Sequence, residues 1–193
     1  MPYRRVPFAQ KQYYHLYNRG VRRQPIFREE DNYLFALRLV KRYTREFSLR
    51  VIAYCLLPNH YHFLVRQDGE KPAGLLPHRV FNSYTKAFNR RYNRAGTLFE
   101  GRYKAIHIDR DEYLLHLCRY IHTNPVKHKI VSHLLEWPYS NFHEWLGVRD
   151  GTLIDRNFVR EHFPEAQDYG QFVSSYLAGI SKPPEGIDMY LLE

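Results

Sequence analysis

Two histidines one residue apart, His60 and His62, lie in the run Pro58-Asn59-His60-Tyr61-His62-Phe63-Leu64-Val65. Alternate residues of a strand share a face, so the two imidazoles point one way and Tyr61, Phe63 and Val65 the other. The second set is apolar enough to face a core. Two neutral imidazoles at that spacing can hold one divalent metal ion. Two ordinary strand histidines, one of them hydrogen-bonded and buried, give the same short pattern. Further along, His116, Tyr120 and Asn124 stand four residues apart, on one flank of a helix. Phosphoryl transfer from a phosphodiester needs a nucleophile, a metal or basic clamp on the phosphate, and positioning. Tyrosine can serve as the covalent nucleophile. Asn124, one turn after Tyr120, could supply an oxygen to the same metal.

These residues depend on the elements that carry them. Gln12–Asn18 is rich in strand formers and ends at the Arg19-Gly20 turn. Arg22, Arg23, Pro25 and Arg28 make a basic loop. Asp31 is a candidate N-cap for a helix running to about Phe47, with Leu34, Leu37, Leu39 and Val40 at roughly helical spacing. Leu49–Leu57 is a nearly continuous apolar run bounded by Pro58 and reads as a central strand. With the histidine strand it makes an antiparallel hairpin. From Leu75 to about Tyr92 the pattern is helical, with Phe81, Tyr84, Phe88 and Tyr92 on a buried stripe. Leu98–Ile108 reads as a strand, kinked or bulged near Gly101. Asp109 then caps a helix with Leu114, Leu117, Cys118 and Ile121 on its core face. That helix is expected to stop at Asn124-Pro125, because a residue before proline is pushed out of the α region. Trp137–Trp145, Phe158–Phe163 and Tyr169–Leu177 read as short helical segments. Lys182–Gly186 is a breaker, after which mobile final residues are expected.

The order of strands and helices fits an α+β fold, a central antiparallel sheet with the His-x-His on a central strand and helices flanking it. A helix across the open face of that sheet would bring Tyr120 to the two imidazoles. Tyr113, Tyr103 and Tyr92 are rivals. Tyr120 is preferred for its apolar neighbours Cys118 and Ile121 and its polar flank of His116 and Asn124.

Composition narrows the partner. The 193 residues are 44% hydrophobic and 16% aromatic, with a net charge of +9. In residues 1–130, 25 Lys and Arg stand against 10 Asp and Glu, whereas in residues 131–193 the balance is 4 against 10. A basic body suggests a polyanionic partner, nucleic acid first. Lys86, Arg90 and Arg94 lie four apart with Arg91 beside them, and Arg102 and Lys104 follow. This row reads either as a phosphate-binding face or as a solvated one. No apolar run approaches the ~20 residues that span a bilayer. The opening Met-Pro-Tyr-Arg-Arg has no apolar stretch behind it, so no secretory signal is expected. Cys55 and Cys118 lie in apolar segments and read as buried, reduced thiols, consistent with a cytoplasmic protein.

Three stretches together resemble a known family. Leu57–Val65 is similar to the His-hydrophobic-His motif of the small single-tyrosine transposases. Tyr92–Lys104 resembles the basic segment between their two active-site halves. Arg119-Tyr120-Ile121-His122-Thr123-Asn124-Pro125-Val126-Lys127 resembles their nucleophile helix. The likeness covers about residues 8–145 and is to the REP-associated tyrosine transposases of the IS200-like family. It implies a ferredoxin-like HUH endonuclease fold over residues 1–145; residues 146–193 match no motif of the family and read as an acidic, mostly helical extension packing on or tethered to it. It also implies a strand transferase that cuts single-stranded DNA at hairpins of short palindromic repeats, with Mg or Mn, through a 5′-phosphotyrosine and a free 3′-hydroxyl. Residue by residue, His60 and His62 would be metal ligands, Tyr120 the nucleophile, and Asn124 would take the place where insertion-sequence relatives carry Gln. A monomer is preferred to a homodimer. The alternative is a protein derived from such a transposase that binds structured nucleic acid without cutting it. A zinc hydrolase is disfavoured, since no Glu or Asp follows the histidines at metalloprotease spacing.

Overall fold

The computed structural model describes residues 7–187. The expected tail is thus covered only as far as Ile187, and residues 188–193 lie outside the described part. Four strands form one sheet: β1 (Tyr13–Arg19), β2 (Leu49–Leu57), β3 (His60–Gln67) and β4 (Lys104–Ile108), in the order β2-β3-β1-β4. Every neighbouring pair is antiparallel. The long helices are α1 (Glu30–Glu46), α2 (Leu75–Arg91) and α3 (Asp111–Lys127), and shorter ones follow, α4 (Phe142–Trp145), α5 (Arg156–His162) and α6 (Ala166–Leu177). The fold is therefore α+β, and the histidine strand is internal.

Strand alternation on β3 sets the layers. Tyr61 turns to one face and stacks on Phe81 of α2 at 3.9 Å between ring centroids. Helix α1 packs beside α2, with Tyr33, Ala36 and Val40 buried, whereas Leu34 is exposed, contrary to the expected core stripe. The α2 stripe of Phe81, Tyr84 and Phe88 is buried as the spacing predicts. His62 turns to the other face, where α3 lies across the sheet.

Strand β2 is not central, as its apolar run suggested, but an edge. Its outer side is covered by the chain after α3. The Leu56 amide donates to the Tyr139 carbonyl (2.9 Å), and the Tyr54 amide to Asn141 Oδ1 (2.7 Å). The β2–β3 register shifts between Val51 and Ala53. The Ile52 carbonyl there accepts from Asn141 Nδ2 (2.9 Å) and Trp145 Nε1 (3.0 Å), and Trp137 Nε1 donates to the Leu56 carbonyl (3.0 Å). An edge strand covered in this way is as buried and apolar as a central one, so hydropathy alone does not separate the two.

Three other expectations change. Leu98–Tyr103 is not strand: Gly101 has φ 71°, and the regular pairing begins at Lys104. Helix α1 starts after Glu29, leaving Asp31 in its first turn, and α3 starts after Arg110 rather than at an Asp109 cap. Helix α3 also runs through Pro125 to Lys127. Proline removes one amide near the helix end. Asn124 Nδ2 (2.7 Å) and Thr123 Oγ1 (3.1 Å) both donate to the Tyr120 carbonyl, and the His128 amide reaches the Asn124 carbonyl (2.8 Å), so the last turn holds.

The segment after α4 packs on the same body. Trp145, Phe158, Phe163 and Tyr169 form one aromatic cluster, with Trp145 and Tyr169 centroids 4.2 Å apart. His122 of α3 joins it, taking a hydrogen bond from the Tyr169 hydroxyl at Nδ1 and donating from Nε2 to Asn141 Oδ1 (2.9 Å). Asp155 caps α5 through the amides of Asn157 and Phe158 and pairs with Arg66 of β3 at 2.9 Å. Cys55 and Cys118 are buried, free thiols. No described helix is long and apolar enough to cross a membrane.

Candidate active site

The face of the sheet under α3 gathers the residues singled out for chemistry. His60 and His62 meet edge to face with ring centroids 5.1 Å apart. Tyr120 of α3 stands with its ring 5.7 Å from that of His62, at 87°. The Asn124 side chain stands beside His60, and its Nδ2 donates to the Tyr120 carbonyl (2.7 Å). Strand alternation and the four-residue helical repeat therefore bring His60, His62, Tyr120 and Asn124 to one place.

Burial is the main electrostatic fact. His62 is fully buried and His60 nearly so. Desolvation, followed by the charge of the His128 ring, pulls His60 down to about 4, with Arg19 adding to it and the Asn124 hydrogen bond opposing it. Burial, then His60 and His15, holds His62 well below the ordinary imidazole range. Both rings are thus neutral at pH 7, the form that binds metal. His62 Nε2 is buried and has no hydrogen-bond partner among the described residues. A buried polar atom without a partner calls for an unseen one, such as an ion. With a neighbouring imidazole and an amide oxygen, this donor set fits a divalent cation of the Mn class.

The rival tyrosines are engaged elsewhere. The Tyr113 hydroxyl donates to the Glu185 carbonyl (2.8 Å), and that of Tyr92 bonds Glu29 and Asn32 on α1. Tyr103 lines a cleft between α2 and the 97–103 turn.

The basic row divides. Lys86, Arg90 and Arg91 belong to α2, across the sheet from the histidines, and Arg94 follows just past the end of that helix. Arg91 is paired with Glu29 (2.6 Å) and Asp31 (3.0 Å). Arg102 and Lys86 line the Tyr103 cleft. Lys104 alone of the six borders the site, its Nζ 5.8 Å over the ring of Tyr17, which pairs with His62.

Four residues near the site were not singled out from sequence. His128 lies with its ring 5.0 Å from that of His60. It continues the row His116, Tyr120, Asn124 by four residues and was lost because the helix was ended at Pro125. Lys127, lost for the same reason, has Nζ 5.9 Å over the Tyr120 ring and bonds the Tyr176 hydroxyl. Arg19 pairs with His60 across β1 and β3 and is held by Glu100. His15 is fully buried, with Nε2 2.9 Å from His62 Nδ1. Nothing local marks His15, because only the β1–β3 register brings it there.

Comparisons with known proteins bear on the fold and the family. A solved structure of a REP-associated tyrosine transposase bound to a REP hairpin shares the fold, with a TM-score of 0.62 at 20% identity, covering 81% of this chain and 98% of that one. A Haemophilus influenzae protein named "Putative REP-associated tyrosine transposase" is 27% identical over 113 residues, 53% of this chain and 64% of that relative's length. The match thus spans somewhat under two thirds of that relative. Residues 8–124 match the family described as "Transposase IS200 like", and the chain belongs to that family of transposases.

Proposed function

We propose that the protein is a metal-dependent strand transferase acting on single-stranded DNA at hairpins of short palindromic repeats, with Tyr120 as the nucleophile. The observation that carries the reading is the packing of Tyr120 against His62, beside a second neutral imidazole. The Tyr120 oxygen attacks the scissile phosphorus. The new tyrosine–phosphorus bond replaces the bond to the 3′-oxygen, which leaves as a hydroxyl after taking up a proton. The DNA downstream of the break stays joined to Tyr120 through its 5′-phosphate until a second 3′-hydroxyl reverses the reaction.

His60 and His62 would hold Mg or Mn, with the Asn124 amide oxygen as third protein ligand. When bound, such an ion offsets charge on the phosphate oxygens and orients the diester. The chain's own residues do the remainder. Burial keeps both imidazoles unprotonated, the side-chain bonds of Thr123 and Asn124 to the Tyr120 carbonyl fix that turn of α3, Lys127 places a cation over the Tyr120 ring, and Lys104 places one over Tyr17, the strand partner of His62. Lys86, Arg90, Arg91, Arg94 and Arg102 would contact phosphates of the hairpin on the far side of the protein. The compartment proposed is the cytoplasm, with the protein on the nucleoid when bound to DNA.

One observation favours a second reading, a module that binds hairpins without cutting: Tyr120 is only 4% exposed. A denaturing gel of protein incubated with single-stranded hairpin DNA and Mn or Mg decides between them. A covalent adduct that forms with the wild type and Tyr113→Phe, and disappears in Tyr120→Phe while hairpin binding persists, supports the enzyme. Salt-dependent binding with no adduct supports the module.

A further inference from the structure

We infer that His15 and Asn59 are positioning residues that accept the Nδ1 protons of His62 and His60 and so present the two Nε2 lone pairs as ligand atoms. The inference deepens the metal reading above and rests on it for its purpose, though not for its geometry.

His15 lies on β1 two residues before Tyr17, the partner of His62 in the β1–β3 register. Its ring is nearly parallel to that of His62, with planes at 18° and centroids 5.2 Å apart. The Nε2–Nδ1 contact of 2.9 Å carries one proton, and there are two ways to place it. If His15 donates, neutral His62 has its own N–H on Nε2. That atom is buried with no partner among the described residues. Leaving a buried N–H without an acceptor costs its full desolvation. If His62 donates, Nε2 carries a lone pair, the form that coordinates a cation. The second placement leaves no stranded proton.

Asn59 makes the same arrangement for His60 from the other side. Its Oδ1 is 2.6 Å from His60 Nδ1. The orientation of this amide is set by its other end, since Asn59 Nδ2 donates to the Arg23 carbonyl (3.3 Å). An amide oxygen only accepts, so His60 Nδ1 carries the proton and Nε2 the lone pair. The Asn59 carbonyl also accepts from the Gly20 amide (2.7 Å), which ties the 20–24 loop to the base of the His60 ring. A second partner on each ligating imidazole is the usual way to fix its tautomer and direction. In this chain an amide and a third histidine take those roles.

The test uses the full chain, in chelator at neutral pH, with long-range proton–nitrogen NMR of the histidine rings. The expected result is the Nδ1–H tautomer for both His60 and His62. His15→Ala should move His62 toward the Nε2–H form, and His15→Gln, which keeps an acceptor, should restore it. Manganese binding, followed by EPR, should weaken about 10- to 100-fold in His15→Ala and in Asn59→Ala and recover in His15→Gln. Hairpin affinity in chelator should not change. An Nε2–H tautomer for His62 in the wild type, or wild-type manganese affinity in both alanine variants, would overturn the inference. Nδ1–H tautomers in a wild type that binds no manganese would leave the tautomer assignment standing and remove the metal reading instead. Should the buried His15→Ala variant fail to fold, the wild-type tautomers and the half-buried Asn59→Ala site still decide.

Discussion

Acid should unfold this protein well above the pH at which carboxylates titrate. His60 and His122 are both buried and both held down to about 4 by desolvation, the first also by His128. An unfolded histidine titrates near 6.5. The sign follows directly: below about pH 6.5 the unfolded chain takes up protons that the folded chain refuses, so stability falls as pH falls, down to about pH 4. Between pH 7 and 5, each of the two groups removes about 2 kcal/mol, or roughly 4 kcal/mol together, the slope rising toward about 1.36 kcal/mol per pH unit and group as the unfolded histidine becomes protonated. His62 and His116 are shifted the same way. A domain is stable by only about 5–15 kcal/mol, so this loss is large. Urea unfolding at constant ionic strength in chelator, from pH 7 to pH 5, measures it. The slope should reach at least about 2 kcal/mol per pH unit near pH 5 from His60 and His122, and His62 and His116 steepen it further. His122→Gln should lose about one proton of that slope. Carboxylates held low by arginines, such as Asp68 beside Arg66, contribute in the same direction but at lower pH. Stability constant between pH 7 and 5, or a His122→Gln slope equal to wild type, would refute the burial argument.

Two further outcomes follow from the fold and the charge distribution. Asn141→Ala strips the β2 edge of its contacts to Tyr54 and Ile52 and leaves His122 Nε2 without its acceptor; it should cost at least about 3 kcal/mol in chemical denaturation, and a loss under about 1 kcal/mol would contradict the assigned role. Lys86→Ala with Arg90→Ala should flatten the log–log salt dependence of hairpin affinity by about one to two units, whereas Arg91→Ala, already paired with Glu29 and Asp31, should change it less; an unchanged slope in the double variant would make α2 a solvated face only.

Local periodicity determined much of this protein. The period of two on His60–Val65 placed both imidazoles on one face and Tyr61 and Phe63 on the other, because a strand offers side chains no other choice. The four-residue repeat did the same for Tyr120 and Asn124, and the Phe81, Tyr84 and Phe88 stripe chose the core face of α2. These are properties of a segment by itself, and residue order states them. Tertiary structure decided what depends on partners far along the chain. Leu49–Leu57 reads as central but lies at an edge, because residues 137–155 supply the missing neighbour through Asn141 and two tryptophan side chains. Pro125 reads as a stop, yet α3 continues past it, held by side-chain bonds to the Tyr120 carbonyl, and so brings Lys127 and His128 to the site. The basic row of α2 is one helix face in sequence, but only the stacking of Tyr61 on Phe81 puts it across the sheet from the histidines. His15 has no local signal at all. A strand's hydrogen-bond register is a long-range choice, and that register alone sets His15 against His62.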